Sequence, residues 1–284
     1  MTEDLIKKPN NFARLNLLDS KDISDVLAFT KPEIIPHSIK PTGATEFDYY
    51  TINDLKYAHE WPHPHFGYTM HNLGFRFSEL PKEVDIAVFG CSFTFGLGLP
   101  EDKLWHSIVS KNLGMTCVNF GLSGSSVQSI IDIFLIVSKH VKIKKAVFLF
   151  PPFTRYQVAR FDHDTENYIH LSAIPAHKSE LCTSYGVNTF DLYKSLPHEE
   201  LFKNSKNALY LAEHIAKLRD IKIFYGAWDD ESFYFINHMN FEYATLLPRW
   251  LTTDECQGDL ARDQQHPGLK HHAYWAGMVE RFLK

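Results

Sequence analysis

Cysteine is scarce in this chain: Cys91, Cys117, Cys182 and Cys256 are the only four in 284 residues, and none forms a C-x-x-C pair. That excludes a disulfide-stapled scaffold and a paired-cysteine zinc knuckle, and makes a reducing compartment the expectation. Long apolar runs are missing too. Stretches such as Ile133-Phe-Leu-Ile-Val137 fall far short of the roughly 18 residues that cross a bilayer, and the segment from Met1 to Asn11 lacks the apolar core of a secretory signal. The expectation is a soluble protein, cytoplasmic or otherwise, with no signal peptide and no membrane span. Positive charge is not in excess either: 29 Lys and Arg stand against 34 Asp and Glu, a formal charge of −5. Such a surface offers no footprint for a phosphate backbone, so nucleic acid is not an expected partner. There is no phosphate-binding G-x-x-x-x-G-K-S/T loop, and Gly96-Leu-Gly98 lacks the third glycine of a dinucleotide fingerprint, so no cofactor is expected.

What is present is the composition of a folded globular protein, 44% hydrophobic and 22% charged. Residues 1–80 are rich in Pro, His and aromatics with little periodicity, as in Pro62-His-Pro-His-Phe-Gly67, and read as an N-terminal extension packed on a core. From residue 81 the pattern changes. Val84–Gly90, Met115–Phe120, Lys145–Phe150 and Ile221–Tyr225 are short, nearly continuous apolar runs, the signature of strands buried on both faces of a parallel sheet. Between them Val127, Ile130, Ile131, Phe134, Val137 and Val141 form a helical stripe, as do Ala208, Leu211, Ala212, Ile215 and Leu218. A last amphipathic helix is expected over Leu269–Lys284, with His271 and His272 on its surface. Alternating strands and helices make 81–284 an α/β domain with a central, mostly parallel sheet, interrupted by an insertion at about 151–198.

In such sheets ligands bind beyond the carboxyl ends of the strands. The first run is followed by Gly90-Cys-Ser-Phe-Thr-Phe-Gly-Leu-Gly98, which presents Ser92 as a candidate nucleophile. The second is followed by Asn119-Phe-Gly-Leu-Ser-Gly-Ser-Ser126, whose glycines allow close backbone approach and whose serines suit a helix cap. Near the C-terminus, Asp263-Gln-Gln-His266-Pro267 places a carboxylate within reach of an imidazole, fixing its tautomer so that the other ring nitrogen can act as a base. A Gly-x-Ser-x-Gly elbow is absent because Thr94 stands at the fifth place.

These blocks, together with Asn72-Leu-Gly-Phe-Arg76, resemble the SGNH (GDSL-type) hydrolases, serine esterases and lipases with a three-layer α/β/α, flavodoxin-like fold. The resemblance covers about residues 71–150 and 255–284. It implies that Ser92 is the nucleophile, His266 the general base and Asp263 its orienting partner, with the backbone N–H groups of Ser92 and Gly124 as oxyanion donors. Two departures stand out. Cys91 replaces the family's Asp beside the nucleophile and is expected to be a small buried thiol. After the third strand the chain reads Phe150-Pro-Pro-Phe-Thr-Arg155, so the family's oxyanion Asn is missing, Phe153 stands in its place, and Arg155 or Thr154 is the candidate substitute donor or substrate contact. Arg76 is expected to tie the N-terminal segment to the core. The spacing of His59, His63, His65 and His71 matches no zinc signature, and no metal site is assigned. The expected partner is a small-molecule or glycan ester, with short acyl groups on carbohydrates as the favoured class. The alternatives are a catalytically weak or inactive carbohydrate- or protein-binding module of the same fold, and an acyltransferase using the same triad.

Overall fold

The computed structural model describes residues 33–36, 67–70, 75–77, 79–122, 124–162, 167–173, 198–250, 256, 258–261 and 266–284. Two short strands, β1 (Glu33–Pro36) and β2 (Gly67–Met70), pair antiparallel. The central sheet then builds from β3 (Glu83–Gly90), β4 (Cys117–Asn119), β5 (Lys142–Phe150), β8 (Lys222–Ala227) and β9 (Thr245–Leu246) in the order β4-β3-β5-β8-β9, with every pairing parallel. Renumbered within the sheet, that order is 2-1-3-4-5, the flavodoxin-like doubly wound arrangement. The expected α/β/α fold is the observed one. The antiparallel pair β6 (Tyr156–Asp162) and β7 (Asn167–Ala173) lies outside this sheet, after β5.

Both sheet faces are covered, and each strand alternates between them. On one face Ala87 and Phe89 of β3, Ala146, Phe148 and Phe150 of β5, and Ile223, Tyr225 and Ala227 of β8 meet three helices: α3 (Val127–His140), α4 (His198–Leu218) and α5 (Asp230–Asn237). On the other, Ile86, Val88, Val147, Leu149 and Phe224 meet α2 (Trp105–Leu113) and α6 (Leu269–Leu283). Burial on both sides is why these strands read as unbroken apolar runs instead of alternating ones. Phe89 sits at the centre of one layer, with ring centroids 5.0–5.5 Å from Phe120, Phe134 and Phe148.

Two expectations need correction. On α4 the buried stripe is Leu201, Ser205, Leu209, Ala212 and Ala216, whereas Leu211 and Leu218 are exposed; the helix begins earlier than the apolar spacing suggested, and its packed face is rotated. On α6, His271 and His272 are buried, not on the surface. His271 Nδ1 lies 3.2 Å from Asp259 Oδ2, which also accepts the N–H groups of Lys270 and His271 and so caps the helix. His272 Nδ1 accepts the Trp105 N–H at 3.1 Å, joining α6 to the start of α2. A polar ring is tolerated inside because its polar atom is satisfied.

That arrangement has a pH signature. Burial, reinforced by His271, Arg76 and His266, pulls the His272 pKa down to about 3, and burial also holds His106 well below the usual imidazole range. The unfolded chain protonates both near pH 6.5. Below that pH the unfolded state binds more protons than the fold, so stability is fully present above about pH 6.5 and drains away as pH falls toward 3. The loss is up to about 1.4 kcal/mol per pH unit for each such histidine. Urea midpoints between pH 7 and pH 5 measure it; His272→Gln should flatten the slope by about one histidine's share, and an unchanged slope would refute the assignment.

Candidate active site

Ser92 stands where the parallel sheet concentrates its chemistry, two residues past the carboxyl end of β3. It opens a single helical turn, α1 (Ser92–Phe95), in which the Thr94 and Phe95 N–H groups donate to the Cys91 carbonyl at 3.1 and 2.9 Å. The side chain is largely buried, at 7% exposure, and Cys91 beside it is fully so, as expected for an inert thiol. The chain reverses tightly here, and Gly90 is what permits it. A Cβ on Gly90 would lie 2.1 Å from Thr94 Oγ1, 2.7 Å from Thr94 Cβ and 2.8 Å from the Leu149 carbonyl oxygen. Gly90→Ala is therefore expected to cost about 2–4 kcal/mol, because the obstruction includes backbone. Thermal unfolding checks this; a loss under about 0.5 kcal/mol would mean that the turn is not close-packed.

The loop after β4 runs alongside. Phe120 N–H donates to the Val88 carbonyl and Leu122 N–H to that of Gly90, at 2.8 and 3.0 Å, extending the pairing past the strand's end. Gly124 follows with φ +81°, in the left-handed region that glycine occupies without strain. Ser126 then caps α3, its hydroxyl accepting the Ser129 N–H at 3.2 Å, as the serine-rich turn suggested. Among the described residues neither the Ser92 nor the Gly124 N–H donates a backbone hydrogen bond outside regular elements.

Asn119 is a residue to which the sequence assigned no role. Its Nδ2 donates to the Thr94 carbonyl at 2.9 Å and its Oδ1 accepts the Gly121 N–H at 2.8 Å, so it ties the serine turn to the β4 loop. His106 Nε2 lies 2.9 Å from the same Nδ2. Because that amide nitrogen can only donate, His106 accepts there and is neutral, in keeping with its lowered pKa. From the N-terminal side Arg76 reaches the same turn, donating to the carbonyls of Phe95, Gly96 and Leu99 at 3.1, 2.7 and 2.6 Å. Its Nε lies 2.8 Å from Glu101 Oε2. The expected tie between Arg76 and the core is present.

His266 arrives from the opposite end of the chain. It sits half-buried in a loop closed by a bridge between Leu260 and Pro267 and by the Ala261 N–H donating to the His266 carbonyl at 2.8 Å. Its ring meets Phe93, the residue next to Ser92, edge-on at 5.8 Å. Phe93 in turn stacks on Trp228 at 4.5 Å and lies 5.9 Å from Trp250. Trp228 immediately follows β8, where a search of strand ends would have found it. The structure thus brings Ser92, His266 and Gly124 to one edge. Asp263 lies outside the described residues, as does the His59, His63, His65 and His71 group.

Phe153, at the missing Asn position, is buried among Phe150, Phe202 and Phe235 at 5.3–6.0 Å and donates its N–H to Ser232 Oγ. It serves the core and supplies no side-chain donor. Thr154 and Arg155 beside it are both buried, and Arg155 Nη1 donates to the Ser125 carbonyl at 3.2 Å.

No family model and no curated protein matches the chain. Solved structures do. An acetyl xylan esterase from the rumen bacterium Butyrivibrio proteoclasticus is 12% identical, with 77% of this chain and 68% of that one covered and a TM-score of 0.43. The psychrotrophic esterase EstA from Pseudoalteromonas is 9% identical, with 72% and 99% covered and a TM-score of 0.41. TesA is 15% identical, with 70% and 98% covered and a TM-score of 0.45.

Proposed function

We propose that this protein is an SGNH-type serine hydrolase that cleaves carboxylic esters through an acyl-enzyme. Ser92 Oγ attacks the ester carbonyl while His266, oriented by Asp263, takes its proton. The N–H groups of Ser92 and Gly124 hold the oxyanion. His266 then returns the proton to the departing alcohol, and water, activated by the same imidazole, releases the acid. The observation that supports this reading is the edge-on contact of the His266 ring, from the far end of the chain, with Phe93, the residue next to Ser92 beyond the carboxyl end of a central strand. The partly exposed aromatic pair Phe93 and Trp228, backed by the buried Trp250, suits the apolar face of a sugar ring, which favours acyl groups on carbohydrates.

Intact mass after incubation with a neutral fluorophosphonate tests the nucleophile. A single adduct on the native chain, absent from Ser92→Ala and His266→Ala, is the expected result. A native chain that takes no adduct would leave the fold as a binding module, which the apolar use of Phe153 would then explain.

A further inference from the structure

Arg155 is an unusual residue for a loop. It is only 8% exposed, yet no carboxylate pairs with it among the described residues. Its one side-chain hydrogen bond there runs from Nη1 to the neutral Ser125 carbonyl, and its buried Nε has no partner. A guanidinium stays charged at any ordinary pH, and a buried charge without a counter-ion is costly unless an anion arrives. The Nε–Nη2 edge, of which Nε is buried without a partner, is the fork that takes the two oxygens of a carboxylate or phosphate in parallel.

Its place in the fold says where such an anion would lie. Arg155 follows β5 and Ser125 follows β4, and these strands flank β3 on either side. The Arg155–Ser125 bond therefore links the loops on either side of the strand that leads into Ser92. Ser125 is adjacent to Gly124, the oxyanion donor, and leads into α3 on one face of the sheet. His266 stands against Phe93, which packs with the helices of the other face. The base and the cation thus approach Ser92 from opposite faces. His266 must protonate the leaving alcohol, so the alcohol lies on its side and the acyl group lies toward Arg155.

Resting on the hydrolase reading, we infer that Arg155 is a substrate-binding residue that clamps an oxoanion on the acyl half of the ester, making acids with a second, negatively charged group the acyl class this site selects. The Nη1 bond to Ser125 sets the plane of the fork, and the two backbone N–H groups are left to the oxyanion.

The test compares kcat/KM for monoethyl succinate, ethyl 3-phosphonopropanoate and ethyl pentanoate in the native protein, Arg155→Lys and Arg155→Met. Removing a charge-assisted bidentate contact is expected to lower the ratio of anionic to neutral ester turnover by about 10- to 100-fold in Arg155→Met, through KM. Arg155→Lys, a charge without the fork, should fall between. The two anionic esters tell a carboxylate clamp from a phosphonate clamp. Reaction of each variant with the fluorophosphonate shows that Ser92 and its surroundings are still folded. An unchanged ratio, or an equal fall in kcat on all three esters, would overturn the inference; the latter would assign Arg155 to the oxyanion. If the native protein labels with nothing and turns over nothing, the hydrolase reading fails separately. Calorimetry with succinate then decides: binding lost in Arg155→Met upholds the clamp, and no binding to the native protein removes it.

Discussion

Replacing Ser92 by alanine is expected to lower kcat for ester hydrolysis by roughly 10⁴–10⁶, with KM changed by little, and His266→Ala should do nearly as much. The size follows from the chemistry. Without the hydroxyl there is no acyl-enzyme, and without the imidazole the hydroxyl, of alcohol-like acidity, gives up its proton only to water. The two losses should not add, because each removes the same step; the double variant is expected within about tenfold of either single one. What survives comes from binding and the backbone donors. The N–H groups of Ser92 and Gly124 belong to the backbone and persist in Ser92→Ala, so a residual rate above water is expected. Both side chains lie at the sheet edge and neither is a core filler, so melting temperatures should stay within about 3 °C of native. Steady-state kinetics on a short-chain ester, with melting temperatures alongside, make the measurement. If Ser92→Ala retained turnover within tenfold of native, Ser92 would not be the nucleophile.

On the proposed hydrolase reading, an oxyanion site with only two backbone donors would set the scale of the native rate. One missing donor is worth about 10²–10³ in kcat elsewhere. Phe153, at the place where an amide would stand, is committed to the aromatic packing of Phe150, Phe202 and Phe235. Putting Asn there would therefore strip a ring from the core before it could donate to anything.

How much of this could be read from the sequence depended on whether a signal was local. β3, β5 and β8 were legible because burial on both faces leaves a contiguous apolar run, and the chain order of Ser92, Gly124 and His266 was legible because each sits in a short motif beside a strand or helix end. β9 was not: Thr245-Leu246 is two residues long and owes its place to pairing with Phe224 and Tyr225 of β8. α2 was missed because its buried residues are only Trp105, His106 and Val109. His271 and His272 were misplaced because what buries them, Asp259 and the Trp105 N–H, lies far off in sequence for Trp105 and in an unpatterned loop for Asp259. The burial of Arg155 depends on a carbonyl 30 residues away, which no periodicity reports.

Arg76→Ala is expected to destabilise the fold by about 3–5 kcal/mol, the largest loss of stability from any single side chain near the site. Arg76 is 2% exposed; its guanidinium donates to three backbone carbonyls and is ion-paired with one carboxylate. Removing it takes a charged donor from the buried carbonyls of Phe95, Gly96 and Leu99, of which Gly96 keeps the Leu99 N–H, and leaves the space of a large buried side chain; a buried polar group that loses its partner costs roughly 1–3 kcal/mol, less what relaxation and water recover. Glu101 is half-exposed, so its side of the ion pair contributes little. The carbonyl contacts should therefore dominate, and Glu101→Gln is expected to cost under about 1 kcal/mol. Lysine is a poor substitute because one ammonium cannot reach three carbonyls along a turn in the fixed geometry of the fork. Those carbonyls belong to the turn that begins at Ser92, held from the other side by Asn119 through Thr94. Loosening it should lower kcat as well, by about tenfold at a temperature where the variant is still folded, because a nucleophile displaced by about an ångström loses its line of attack. Denaturant unfolding of Arg76→Ala, Arg76→Lys and Glu101→Gln, with kcat measured well below each midpoint, separates the two effects. A cost for Glu101→Gln equal to that of Arg76→Ala would assign the stability to the ion pair and not to the turn.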